Sequence, residues 1–197
     1  MGLLDLKSPG RPKRLPGDSG VWIFIIADMG AFALFFLIFT VGRIGSPAIF
    51  EASRLHLDIR LGLLNTLILL TSSYFMVRAV QGARAGVRAV VMRNLALTIL
   101  IGLGFAASKM VEYSAKVTAG IGLTTNEFFT YYFVFTGIHF LHFVIGIAAL
   151  AMMLAKSQRD ALDDRFRVWI ESVGCYWHMV DLLWIMLFPM LYLQRAG

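Results

Sequence analysis

Long uncharged apolar runs alternate with short charged connections along this chain, and the alternation recurs five times. The longest run, Phe128 to Leu154, holds 27 residues without a formal charge. As a helix rising 1.5 Å per residue it reaches roughly 40 Å, more than the ~30 Å hydrocarbon core of a bilayer. The five runs predict helices over 20–42, 60–80, 93–115, 128–155 and 170–193. Connections between them are short, so the pattern predicts an all-α, five-transmembrane-helix bundle forming a single domain over residues 20–197. The first 19 residues are polar, with four cations and three prolines, and read as a flexible tail lying on the membrane surface. The run that begins at Gly20 is too long for a cleaved leader and is not broken by a small-residue cleavage pattern.

Polar residues inside these runs carry the information, because an unpaired polar group in hydrocarbon costs several kcal/mol. The first span contains Asp28. The second has Asn65, Thr66, Thr71, Ser72 and Ser73, small groups that let helices approach and hydrogen-bond across the contact. The third has Lys109 and Glu112, three apart on one face, and reads as an ion pair near the membrane surface with the lysine stem snorkelling. The fourth has His139 and His142, which share a face with Gly146. The fifth has Glu171, Gly174, His178 and Asp181 within about 80° of one another, with His178 and Asp181 spaced to touch. Rough depths are ~12 Å for Asp28 and His178 and ~20 Å for His142. The expectation is a polar cluster joining spans one, four and five.

Composition agrees with a membrane protein. Hydrophobic residues make up 58% and charged residues 15% of the chain, against roughly 25% charged in soluble domains. The net charge of +6 sits in short loops beside apolar helices and not on a basic face interleaved with aromatics, so nucleic acid is not the expected partner. Twelve cations, from Lys7 to Arg14, Arg78 to Arg93 and Lys156 to Arg167, fall on the side of the N-terminus, and five (Arg43, Arg54, Arg60, Lys116 and Arg195) fall on the other. The positive-inside rule then places the N-terminus in the cytoplasm and the C-terminus outside. Trp22, Trp169 and Tyr192 lie near span ends, where an aromatic belt is expected. The lone Cys175 has no disulfide or thiolate-site partner.

Four readings of the polar residues stay open at this point. One is interhelical hydrogen bonding that fixes the packing. A second is a b-type haem held between His178 and either His139 or His142, with a copper or iron site as a variant needing the same residues. A third is proton relay by Asp28. The fourth, a small proton-coupled transporter built on Asp28, is opposed by short loops and by the lack of helices broken near mid-membrane. No nucleotide loop, nucleophile–base pair or zinc motif is present, so the residues offer no catalytic centre.

Three motifs in register, LNTLILLTSS in span two, TGIHFLHFVIG in span four and YWHMVDLLWIMLF in span five, resemble subunit III of haem–copper oxidases over all five spans. Thr136, Gly137, His139 and His142 match that family's TG-x-H-x-x-H run, Glu112 and Tyr113 its Glu-Tyr pair, and Glu171, Tyr176, Trp177, His178 and Asp181 its last-helix motif. The resemblance implies an accessory subunit of a cytochrome c or quinol oxidase with no haem or copper of its own. It would pack beside the haem-bearing catalytic subunit in a bacterial inner membrane, hold phospholipid, and support proton uptake and durability of that partner. Two departures stand out. The chain lacks the first two helices of longer members, which wall a lipid-filled cleft. Asp28 also replaces the usual glutamate, and VWIFIIADMGAF is similar to a branch associated with nitric oxide reductases. The proton-active or polar-cluster candidates are therefore Asp28, Glu112, His139, His142, Glu171, His178 and Asp181.

Overall fold

A computed structural model describes residues 15–159 and 161–194. The expected surface tail lies largely outside the described residues. Six helices follow one another: α1 (Ser19–Gly45), α2 (Pro47–Arg54), α3 (Ile59–Arg84), α4 (Arg88–Thr118), α5 (Glu127–Arg159) and α6 (Asp164–Phe188), the last continued by a π-helical turn over Pro189–Leu193. Five of them are long and apolar enough to cross a membrane, with α6 and its turn counted together. These five are the predicted spans.

The helices run further than the apolar stretches suggested. The third begins at Arg88 where 93 was expected, and the fifth begins at Asp164 where 170 was expected. Hydrophobicity marks the lipid-facing part of a helix, whereas hydrogen bonding ends it. Asp163 caps α6 by accepting from the Phe166 N–H, Asp58 caps α3 from Arg60 and Leu61, and Asp18 caps α1 from Gly20. Each satisfies donors that have no partner within the first turn. The eight-residue α2 was not expected. Pro47 at its first position, just after Ser46, supplies the fixed φ that starts a helix. Phe50 on α2 packs against Phe39 and Phe128, centroids 5.2 and 5.6 Å away, which lays α2 across one end of the bundle.

Burial grades across the bundle. The stretch of α6 that spans has 61% of its residues buried, the corresponding stretch of α1 only 6%. α6 is the central post, packed against α3 and α5, and α3 in turn pairs most extensively with α4. Close approach is bought by glycine where large rings need room. A Cβ on Gly146 would lie 2.8 Å from the Trp177 ring, and one on Gly62 would clash with the Phe188 ring. Helix α1 is attached along a narrow seam, its buried residues being Phe32 and Phe39. Its remaining faces display Ile23, Ile26, Leu34, Leu37 and Val41.

Candidate functional site

Three polar clusters lie within the apolar bundle. The first joins α1 to α5. Asp28 Oδ1 is 3.1 Å from His142 Nε2, and both side chains are 13% exposed. His142 Nδ1 is 2.8 Å from the Ile138 carbonyl oxygen. A carbonyl can only accept, so Nδ1 carries a hydrogen and donates it. The short contact between Nε2 and Oδ1 then requires one more proton, on the carboxyl or on the imidazole. The two atoms, 3.1 Å apart, are close enough to share one proton. The expected meeting of spans one and four is present. Span five takes part through Tyr176, whose hydroxyl donates to the His142 carbonyl at 3.0 Å.

The second cluster joins α3 to α6. His178 Nδ1 pairs with the Ser73 hydroxyl, not with Asp181 as the spacing suggested. An i, i+3 relation permits contact, but α3 offers His178 a hydroxyl across the interface and the ring turns to it. Asp181 is 3% exposed, and neither oxygen has a hydrogen-bond partner. Of the other polar residues of span two, Ser72 donates to the Thr98 carbonyl at 2.8 Å and Thr66 accepts from the Trp184 indole N–H at 3.1 Å, whereas Thr71 donates to the Leu67 carbonyl of its own helix and the Asn65 amide has no partner.

The third cluster corrects the expectation of a snorkelling pair. Lys109 and Glu112 do form an ion pair, Nζ to Oε2 2.8 Å, but they are 1% and 3% exposed. Lys116 adds a second cation 3.7 Å from Oε1. The phenols of Tyr132 and Tyr192 donate to that same oxygen at 2.9 and 2.6 Å. Lys109 also donates to Tyr192 at 3.0 Å and lies 4.6 Å from the Trp184 ring centroid. Tyr192 is fully buried here, although its position near a span end suggested the aromatic belt. Beside the cluster, Tyr113 and Thr136 share a hydrogen bond of 2.5 Å. Sequence reasoning missed Lys116, Tyr132 and Tyr192. The available signal was the 109, 112, 116 spacing, which puts three charges on one face of an apolar helix.

The two remaining candidates stand apart. His139 is fully buried, its Nε2 donating to the Val180 carbonyl at 3.0 Å while Nδ1 has no partner. Its ring is flanked by Phe105 and Trp184, centroids 5.5 and 5.4 Å away. Glu171 sits at the far end of α6, accepting from Arg84 at 2.8 Å and from the Gly17 N–H at 3.1 Å. With the Ser172 hydroxyl accepting from the Asp18 N–H, it straps residues 17–18 onto α6. Among the described residues no group of three or more His, Cys, Asp and Glu side chains gathers in metal-ligating fashion.

Comparison with known proteins bears on what these clusters serve. A family profile described as Cytochrome c oxidase subunit III matches residues 17–195. The chain is 31% identical over 175 residues to a cytochrome c oxidase subunit 3 of Synechocystis, covering 88% of this chain and 74% of that one. It is 30% identical over 185 residues to a quinol oxidase subunit 3 of Bacillus subtilis, covering 90% and 87%. It is also 30% identical over 187 residues to a haem–copper oxidase subunit I+III of Aeropyrum pernix, where it covers 89% of this chain and 22% of that longer protein.

Proposed function

Because the chain belongs to the cytochrome c oxidase subunit III family, the accessory and non-catalytic component of haem–copper oxidases, we propose that it steadies a haem-bearing catalytic subunit and supports that partner's proton uptake in aerobic electron transport. It is a multi-pass membrane protein, and membership in this family carries association with a catalytic subunit I. The joint I+III relative supports that choice of partner. We place the chain in a bacterial inner membrane with its N-terminus in the cytoplasm, on the asymmetry of its loop cations and on its bacterial relatives. Haem and copper belong to the partner in this reading. Bound phospholipid covers whatever apolar surface of α1 the partner leaves.

The observation that carries the reading is the Asp28–His142 pair. Asp28 lies on the one long helix that the bundle barely buries, the facing oxygen and nitrogen are close enough to share one proton, and both side chains keep 13% exposure. A proton held there is available to whatever packs against α1. The third cluster is turned inward and serves cohesion: the buried triad of Lys109, Glu112 and Lys116 ties α4 to α5 and to the C-terminal turn through Tyr132 and Tyr192.

Affinity purification from the native membrane in mild detergent, followed by visible spectra before and after stripping partners, tests the assignment. A large haem-bearing subunit should co-purify and take the haem with it when stripped. Haem retained by this chain alone would overturn the accessory reading and make His178 the first ligand to test.

A further inference from the structure

Asp181 has no place in the role just described, yet its carboxyl is an ionisable group buried inside the bundle. Both of its oxygens are without a hydrogen-bond partner at 3% exposure. Along α6 and its turn it stands about 26 Å from the Asp164 end and about 18 Å from the Leu193 end, far from either aqueous surface. Buried polar groups are nearly always partnered, and an ionisable side chain at such depth marks function by default.

The groups around it give it no counter-ion. From α3 comes Ser73, which neighbours the carboxyl without closing a direct hydrogen bond to it. From its own helix comes His178, one turn back. On α5, His139 is engaged with the carbonyl of Val180, the residue before Asp181. On the α4 side Lys109 is committed to Glu112 and sits against the Trp184 ring. On the α1 side Asp28 is committed to His142.

His178 is what connects this site to the outside. It forms part of the wall of a groove of about 220 Å³ between α3 and α6, along with Val77, Val80, Cys175, Arg84 and Glu171. The Arg84–Glu171 ion pair gives that groove a polar end, about 10 Å along the helix from His178. One face of the imidazole is thus open to the groove, while Nδ1 is bonded to Ser73 Oγ, and Ser73 adjoins Asp181.

We propose that Asp181 is a second proton-holding site of this subunit, filled and emptied through His178 and Ser73 from the α3–α6 groove. Filling starts from the carboxylate. A water-borne proton binds His178 Nε2, the Nδ1 proton passes to Ser73 Oγ, and the Ser73 hydroxyl proton passes to Asp181. One proton enters and one carboxyl is made; Ser73 is again a hydroxyl, His178 is neutral but now carries its hydrogen on Nε2, and release reverses the steps and returns it to Nδ1. The site is separate from Asp28–His142, and it rests on reading the chain as a membrane-embedded oxidase subunit only for its setting.

Infrared difference spectroscopy on the intact native complex, following exchange from H2O into D2O, tests it. The expected spectrum contains the carbonyl stretch of a protonated carboxyl that shifts in D2O, disappears in Asp181→Asn and persists in Asp28→Asn. Removing the hydroxyl relay in Ser73→Ala should slow exchange of that band about tenfold, the worth of one hydrogen bond. A wild-type spectrum with no band removed by Asp181→Asn, or a Ser73→Ala complex that exchanges as fast as wild type, overturns the proposal. Should Asp181→Asn fail to assemble, the Ser73→Ala rate decides alone. Failure of the accessory reading would show differently, as loss of the haem subunit from the purified complex, since the infrared band is read whatever the turnover.

Discussion

Replacing Glu112 by Gln keeps the shape of the side chain and an oxygen for the two phenols, and removes only the charge between Lys109 and Lys116. With an effective dielectric of about 20, the contacts at 2.8 and 3.7 Å are worth roughly 6 and 4–5 kcal/mol of attraction before desolvation is counted. Desolvation cancels much of that while the cluster is complete, but removing one partner leaves the other charges buried and uncompensated, at about 3–5 kcal/mol. Lys109 is 1% and Lys116 6% exposed, so neither can reach water without moving the helix. Glu112→Gln is therefore expected to cost about 4 kcal/mol. Lys109→Met should cost only about 1–2 kcal/mol, because Glu112 keeps Lys116 and both phenol donors. The double variant should fall short of the sum of the single costs by about 2 kcal/mol, since Met removes the cation that Gln left stranded. Equilibrium denaturation in mixed micelles, run as a double-mutant cycle, measures all three. An exposed snorkelling pair would give at most about 1 kcal/mol in every arm. A Glu112→Gln protein within that limit, or strictly additive variants, would refute the buried-cluster argument.

Other outcomes follow from the same geometry. Asp28→Asn should leave assembly intact and slow proton-linked turnover of the partner enzyme, because the amide cannot share the proton on His142; turnover unchanged across pH would reduce Asp28 to a packing residue. Gly146→Ala should destabilise by about 1–3 kcal/mol, since its Cβ would lie 2.8 Å from Trp177. Gly137→Ala, where a Cβ meets nothing within 4 Å, should be neutral or stabilising by up to about 1 kcal/mol, and the difference between these two melting curves checks the packing. Arg84→Ala should cost no more than about 1 kcal/mol, because the arginine side chain is 58% exposed; a larger loss would show that the strap of residues 17–18 on Glu171 depends on that pair.

How far the sequence could be read varies with the kind of information each feature needs. The five spans were legible because length and hydrophobicity are properties of one segment at a time. Counting residues put Asp28 and His142 in one broad layer, at roughly 12 and 20 Å, but the depth that matched Asp28 was that of His178, which pairs with Ser73 instead. Facing does not follow from counting residues. Whether Lys109 points to lipid or to the interior depends on Tyr132 and Tyr192, which arrive from 23 and 83 residues away, and on α6 offering Trp184 as a surface for the ammonium. The same limit explains His178: its spacing to Asp181 allowed a pair, while Ser73, on another helix, decided the contact. What single-helix reasoning supplies is a set of polar residues that must be satisfied in an apolar solvent. The choice of partner is made between helices, and that both oxygens of Asp181 go without one is visible only in the assembled bundle. A lone carboxyl in such a bundle is a liability for packing, because Asn or Leu would fit the helix interface without a titratable proton. That cost is the physical reason to look for a proton at Asp181 and to seek its path through the one imidazole that touches both the interior and the groove.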